Sequence, residues 1–180
     1  MQDVILVPID FSDCSIDVVR LGSRFARGLG GRLVLLYVVE LPPGVSADLQ
    51  VSASSPAGGH MKAAALMESE ARALMARYVS VPELEGLEVS TRIEHGLVAE
   101  TILRVASELD ASQIVIGTHG RRGFARMVAG SVAEAVVRAS LQPVTVVRTQ
   151  HKPHCQATSC AWCRSGELTT YARLQAEVDG

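Results

Sequence analysis

The sequence predicts an α/β domain: an open, five-stranded, mostly parallel sheet with helices on both faces and strand order 3-2-1-4-5. Three observations predict it. Short apolar runs alternate with stretches of helical period in the order βαβαβαβαβ. The strand-like run Arg32 to Val39 is apolar on both faces, as in a parallel sheet covered on both sides. A glycine-rich segment stands between the fourth strand and the fourth helix, at the carboxyl edge where such sheets hold ligands.

Each element has its own signal. Val4 to Ile9, VILVPI, is a short apolar run ended by Asp10. Ser12 is an N-cap for a helix reaching about Leu29, with a stripe of Val18, Gly22, Phe25 and Leu29, and Gly30-Gly31 stop it. Arg32 to Val39, RLVLLYVV, is the second strand. Glu40 to Gly59 carries Pro, Gly and Ser without a sustained period and reads as a mobile loop. The second helix runs from about His60 to Val79 on the stripe Ala64, Met67, Ala71, Leu74 and Tyr78. Leu87 to Glu94 alternates as the third strand, and Val98 to Leu109 is the third helix, with Val98, Ile102, Val105 and Leu109 on one face. Gln113 to Ile116, Ser131 to Ala139 and Pro143 to Val147 complete the pattern as strand, helix and strand. The whole is Rossmann-like.

Composition narrows the class. At 180 residues, 48% hydrophobic and 4% aromatic, the chain holds one domain with an aliphatic core. A net charge of −2 points to neither nucleic acid nor an anionic membrane. The opening MQDVILVPID is already a strand, with no basic leader and no apolar run long enough to span a bilayer, so a soluble cytoplasmic protein is expected.

The chemistry concentrates in GTHGRRGFARMVAGS, where Gly117, Gly120 and Gly130-Ser131 form G-x2-G-x9-G-S. Glycines let a backbone approach an anion closely, and free N–H groups with the helix dipole favour phosphate. Arg121, Arg122 and Arg126 could pair with phosphate oxygens or form a solvated basic loop. His119 could donate to a phosphate or cap the turn. The plain alternative is a turn that uses glycine for left-handed dihedrals.

With these residues in place, the chain resembles the universal stress protein family over Met1 to Thr149. The resemblance rests on VILVPIDFS, LLYVVE, GTHGRRGFARMVAGSVAEAVV and PVTVV. The glycine pattern matches the ATP-binding branch of that family, and the implied fold is of the adenine nucleotide alpha hydrolase-like kind. By that resemblance Pro8 and Asp10 would border adenine and ribose, and Val38 would offer backbone groups to the adenine edge. Gly117, Thr118, His119, Gly120, Arg121, Arg122 and Gly123 would wrap phosphates and ribose. Gly130, Ser131, Val132 and Ala133 would close over the phosphates from the helix N-terminus. The resemblance also implies a homodimer paired edge to edge through residues 143–147, where Val144, Val146 and Val147 suit an interface. Without it, Asp10 reads as a strand-end cap and Val38 as core.

From His151 the pattern changes, and residues 150–180 form a polar Cys/His-rich tail beside a nucleotide-binding domain of residues 1–149. Cys155, Cys160 and Cys163 make C-x4-C-x2-C, with His151 and His154 just before. Thiolate and imidazole at short spacing suit tetrahedral zinc, with His151 the easier fourth ligand. An iron–sulfur reading needs a fourth cysteine, and only Cys14 is left for it. A redox C-x-x-C lacks its usual helical setting, and a plain polar tail is the remaining alternative.

The expected function is an ATP-binding (or AMP- or ADP-binding) stress-response or regulatory protein that acts mainly by binding. No Walker lysine, H-E-x-x-H or G-x-S-x-G occurs, so no catalytic residue is assigned. No acidic pair near the loop stands out for a magnesium ion apart from Asp10 and Asp13, and Asp13 reads first as a first-turn helix acid favourable to the dipole. Slow ATP hydrolysis or nucleotidyl transfer on the same scaffold is one alternative. A zinc- or redox-responsive adaptor, with an unidentified protein partner recruited by the tail, is another.

Overall fold

The computed structural model describes residues 2–42, 44–52, 60–118 and 131–148. In chain order the elements are β1 (Val4–Pro8), α1 (Asp13–Leu29), β2 (Arg32–Val39), β3 (Gln50–Ser52), β4 (His60–Lys62), α2 (Ala63–Tyr78), β5 (Val89–His95), α3 (Val98–Glu108), β6 (Gln113–Gly117), α4 (Ser131–Ala139) and β7 (Val144–Val147), with a 3-10 turn at Pro82–Leu84. Five strands form one sheet in the order β5-β2-β1-β6-β7, every pair parallel. Counting only these five, this is the expected 3-2-1-4-5.

Strand alternation sorts the core into two layers. Ile5, Val7, Leu33, Leu35, Tyr37 and Val115 lie in one cluster with Val18, Val19 and Ala26 of α1 and Met67, Ala71 and Leu74 of α2. Leu6, Val34, Leu36, Val38, Ile114 and Ile116 lie in the other with Ile102 and Val105 of α3 and Ala133 and Val136 of α4. The central strands are therefore buried on both faces, which is why their sequences lack a polar alternation.

Three local expectations are corrected. The α1 stripe is rotated: Val18 and Gly22 are buried with Val19, Ser23 and Ala26, while Phe25 is half-buried and Leu29 is 52% exposed. Ser23 and Ala26 are small, and the buried Ser23 hydroxyl is satisfied by the Arg20 carbonyl at 2.9 Å. At Gly22 an added Cβ would lie 2.6 Å from Val7 Cγ2. The stretch after Glu40 is not all loop: Gln50–Ser52 pairs antiparallel with His60–Lys62. α2 accordingly begins at Ala63, not His60, and the core takes Ala63 rather than Ala64. Val51, 6% exposed, ties this two-stranded ribbon to the α1–α2 layer, a long-range contact that no local period reveals.

α1 ends on Gly30 at φ 62°, whose N–H reaches back to the Arg27 carbonyl. Arg27 donates to the Glu83 and Glu85 carbonyls and Arg20 pairs with Glu83, so α1 is fastened to the 3-10 turn. Among the described residues no helix is long and apolar enough to cross a membrane.

Candidate functional site

The strand order turns back between β1 and β6, and there the carboxyl edge opens. β1 pairs with β6 only at Ile5–Gln113 and Leu6–Ile114, whereas β6 stays paired with β7 through Gly117–Val147. Beyond Leu6 the two central strands part, leaving a crevice of the kind that binds ligands in open α/β sheets.

Asp10 stands at its lip. The Ile9 N–H donates to the Leu36 carbonyl at 2.9 Å, carrying the β1–β2 ladder one residue past Pro8. The chain then turns sharply: Phe11 has φ 62°, a left-handed conformation that costs a bulky residue roughly 1–2 kcal/mol. The turn is held by the Asp10 carboxylate itself. Its Oδ1 accepts the Ser15 hydroxyl at 2.7 Å and the Ser12 N–H at 3.1 Å, while the Asp10 N–H donates to Ser15 Oγ at 3.2 Å. Ser12 takes the N-cap position of α1, but its side chain makes no capping bond. Asp10 Oδ2 is buried and has no hydrogen-bond partner among the described residues. A buried carboxylate oxygen without a donor is costly, and a ligand hydroxyl or amino group would satisfy it.

Val38 lies across the crevice on β2. Leu36 turns its carbonyl to β1, and Val39 turns its carbonyl to the Gly96 N–H beyond β5. By alternation the N–H and C=O of Val38 face the β1 side, which β1 has already left. Both a donor and an acceptor are thus offered there. The Val38 side chain, 7% exposed, shares its core cluster with Ile116 and Ala133. Ile116 lies near the end of β6 and Ala133 in the first turn of α4, so both elements contribute to that cluster. Pro8 and Gly117 are half-buried at the strand ends, Thr118 is buried and its N–H donates to the Val147 carbonyl at 2.9 Å, and Val132 is half-buried on α4. α4 starts at Ser131, and the first-turn N–H groups of a helix have no intrahelical acceptors, the usual setting for an anion.

The structure thus brings together Pro8, Asp10, Val38, Gly117, Thr118 and the Ser131–Ala133 turn. His119, Gly120, Arg121, Arg122, Gly123 and Gly130 lie outside the described residues, as do His151, His154, Cys155, Cys160 and Cys163. Among the described residues no group of three or more His, Cys, Asp or Glu could hold a metal.

Sequence reasoning missed Phe11, Ser15, Tyr37 and Tyr78. The Phe11 ring lies 4.5 Å from that of Tyr37 and 5.4 Å, edge on, from that of Tyr78. Tyr78 Oη donates to the Ser12 carbonyl at 2.8 Å. The Asp10-to-Ser12 bond is an Asx turn, a pattern readable from D-F-S. The Tyr78 contact has no sequence signal. At the rim, His95 Nε2 lies 3.0 Å from Glu68 Oε2, and His95 together with Arg72 holds the Glu68 carboxyl below its ordinary value.

The family model described as the universal stress protein family matches residues 1–148. A universal stress protein of Methanocaldococcus jannaschii is 29% identical over 148 residues, which span 82% of this chain and 83% of that protein. The solved universal stress protein from Archaeoglobus fulgidus in complex with dAMP is 21% identical with TM-score 0.58, covering 82% of this chain and 98% of its own. A universal stress protein solved in complex with cAMP is 20% identical with TM-score 0.56, covering 83% and 98%. At such identities these two structures speak for the fold.

Proposed function

The chain belongs to the universal stress protein family, and from that premise we propose that it binds an adenine nucleotide, ATP first, in the crevice between β1 and β6 and acts mainly by binding. One observation carries the reading: the buried Asp10 Oδ2 has no partner among the described residues and lies at the carboxyl edge of the sheet. A ribose hydroxyl is a donor suited to it. The Val38 N–H and C=O would pair with the adenine edge, and Pro8 would flank the ring. The phosphates would run towards Gly117, Thr118, His119, Gly120, Arg121, Arg122, Gly123 and Gly130, ending at the N–H groups of Ser131, Val132 and Ala133. The relatives solved with dAMP and cAMP support the ligand class. Magnesium would arrive on the triphosphate, which needs only one or two protein carboxylates.

No side chain is assigned a catalytic role, so hydrolysis, if measured, would be slow and driven by positioning alone. The described part of β7 is an edge strand, and Leu141 and Val146 near it are 95% and 40% exposed. This supports a homodimer formed through residues 143–147, since an apolar edge is otherwise a liability. We place the protein in the cytoplasm, where nucleotide is abundant and thiols stay reduced.

A second reading concerns the tail. C-x4-C-x2-C with His151 and His154 begins just after the family match ends at residue 148. This favours residues 150–180 as a separate zinc-binding appendage to a nucleotide domain of residues 1–149, able to recruit a partner protein. Native mass spectrometry of the protein purified without added ligand tests both readings. The expected result is a dimer carrying adenine nucleotide and one zinc per chain. Protein free of nucleotide that gains none with ATP would refute the first reading, and protein free of zinc after zinc addition would refute the second.

A further inference from the structure

We propose that Tyr78 is a positioning residue for nucleotide binding: from the last turn of α2 it holds the Asp10 turn in its ligand-ready form. The inference rests on the nucleotide reading above. The turn that presents Asp10 contains a fully buried Phe11 at φ 62°, a conformation that an aromatic residue does not adopt unaided. Something must over-determine it, and the contacts that do so are not local. The Phe11 ring is enclosed by Tyr37 of β2 and Tyr78 of α2. Tyr78, 66 residues away in sequence, also donates its hydroxyl to the Ser12 carbonyl at 2.8 Å.

That carbonyl is the first acceptor of α1, and it takes the Ser15 N–H at 2.9 Å as well. Ser15 in turn donates its hydroxyl to Asp10 Oδ1 at 2.7 Å. A short chain of hydrogen bonds therefore runs from Tyr78 Oη through Ser12 and Ser15 to the carboxylate. Its effect is to occupy Oδ1 and fix the rotamer that leaves Oδ2 without a partner among the described residues. Tyr78 does not itself reach the ligand. It sets which oxygen is offered, and it makes the seating of α2 on the sheet part of the nucleotide site.

The test is a double-mutant cycle on the full-length protein, with ATP affinity read by calorimetry and folding by thermal unfolding. Tyr78→Phe keeps the ring against Phe11 and removes only the hydroxyl. The Ser12 carbonyl remains bonded to Ser15, so the variant should stay folded. We expect ATP affinity to fall roughly five- to tenfold, the loss of about one hydrogen bond's worth of pre-organisation. In an Asp10→Ala background the same change should cost nothing further, because Tyr78 acts through Asp10; a merely structural role would cost the same in both backgrounds. Ser15→Ala supplies a second route, since it cuts the chain nearer the carboxylate and should not add to Tyr78→Phe. Wild-type protein that binds ATP while Tyr78→Phe binds equally well would overturn this inference alone. Wild-type protein that binds no adenine nucleotide would overturn it together with the reading beneath it.

Discussion

Asp10→Asn isolates the charge of one oxygen at the crevice. The substitution is nearly isosteric, so the amide oxygen can take the place of Oδ1 and still accept the Ser15 hydroxyl and the Ser12 N–H, now at 2.7 and 3.1 Å from a charged partner. Neutral acceptors make weaker bonds than ionised ones, by about a factor of two. Two weakened bonds in a partly buried turn should cost roughly 1–2 kcal/mol of stability. The other end of the side chain changes more. Where Oδ2 is a buried acceptor without a partner among the described residues, the variant places an NH2 group, which a ribose hydroxyl can meet only by accepting, so a charge-assisted bond becomes a neutral one. A hydrogen bond to a charged acceptor is worth about 1.5–3 kcal/mol and a neutral one about 0.5–1.5 kcal/mol, so ATP should bind roughly 5- to 15-fold more weakly. Calorimetry with ATP and with its 2′- and 3′-deoxy analogues checks this. Wild type should discriminate against one of the analogues, and Asp10→Asn should lose much of that discrimination. A folded variant that binds ATP within about twofold of wild type would refute the assignment of Oδ2 to the ligand.

Three further outcomes are expected. Gly22→Val drives a branched side chain into Val7, whose Cγ2 would already lie 2.6 Å from an added Cβ; it should cost about 2 kcal/mol and lower the thermal midpoint by roughly 4–8 °C, and an unchanged midpoint would contradict the α1–β1 packing. Cys160→Ser with Cys163→Ser should release zinc while leaving ATP affinity intact, and an unchanged zinc content by mass would exclude those thiolates as ligands. Glu68 is held below its ordinary value of 4.5 by His95 and Arg72, so its stabilisation is full above that value and is lost as pH falls through the lowered one. The difference in unfolding midpoint between wild type and Glu68→Gln should therefore shrink towards acid, and also at high salt because the pair is exposed; a constant difference from pH about 6 to about 3 would refute it.

Much of the site is legible in the sequence because its parts are local. Gly117 after an apolar strand and Ser131 opening a helix are readable as a phosphate cradle, and Asp10 ends an apolar run. Val38 is legible only through family resemblance. Read as residues it is core, and its side chain is indeed buried; what opens to the crevice is its backbone, because β1 stops where β2 continues. The β3–β4 ribbon was hidden for a related reason. Strands of three residues are too short to show a period, and Val51 earns its place by a contact with the α1–α2 layer.

The sequence by itself determined the order of elements, the two-sided burial of the sheet and hence the switch point between the first and fourth strands. It could do so because apolar period and glycine placement act over a few neighbouring residues. Only the tertiary structure decided how that switch point is armed. Phe11 is forced left-handed, Tyr78 reaches back across 66 residues to the Ser12 carbonyl, and Asp10 spends one oxygen on its own turn and keeps the other. These are consequences of which side chains meet when α2 settles on β2 and β5, and meetings between distant segments leave no trace in local pattern.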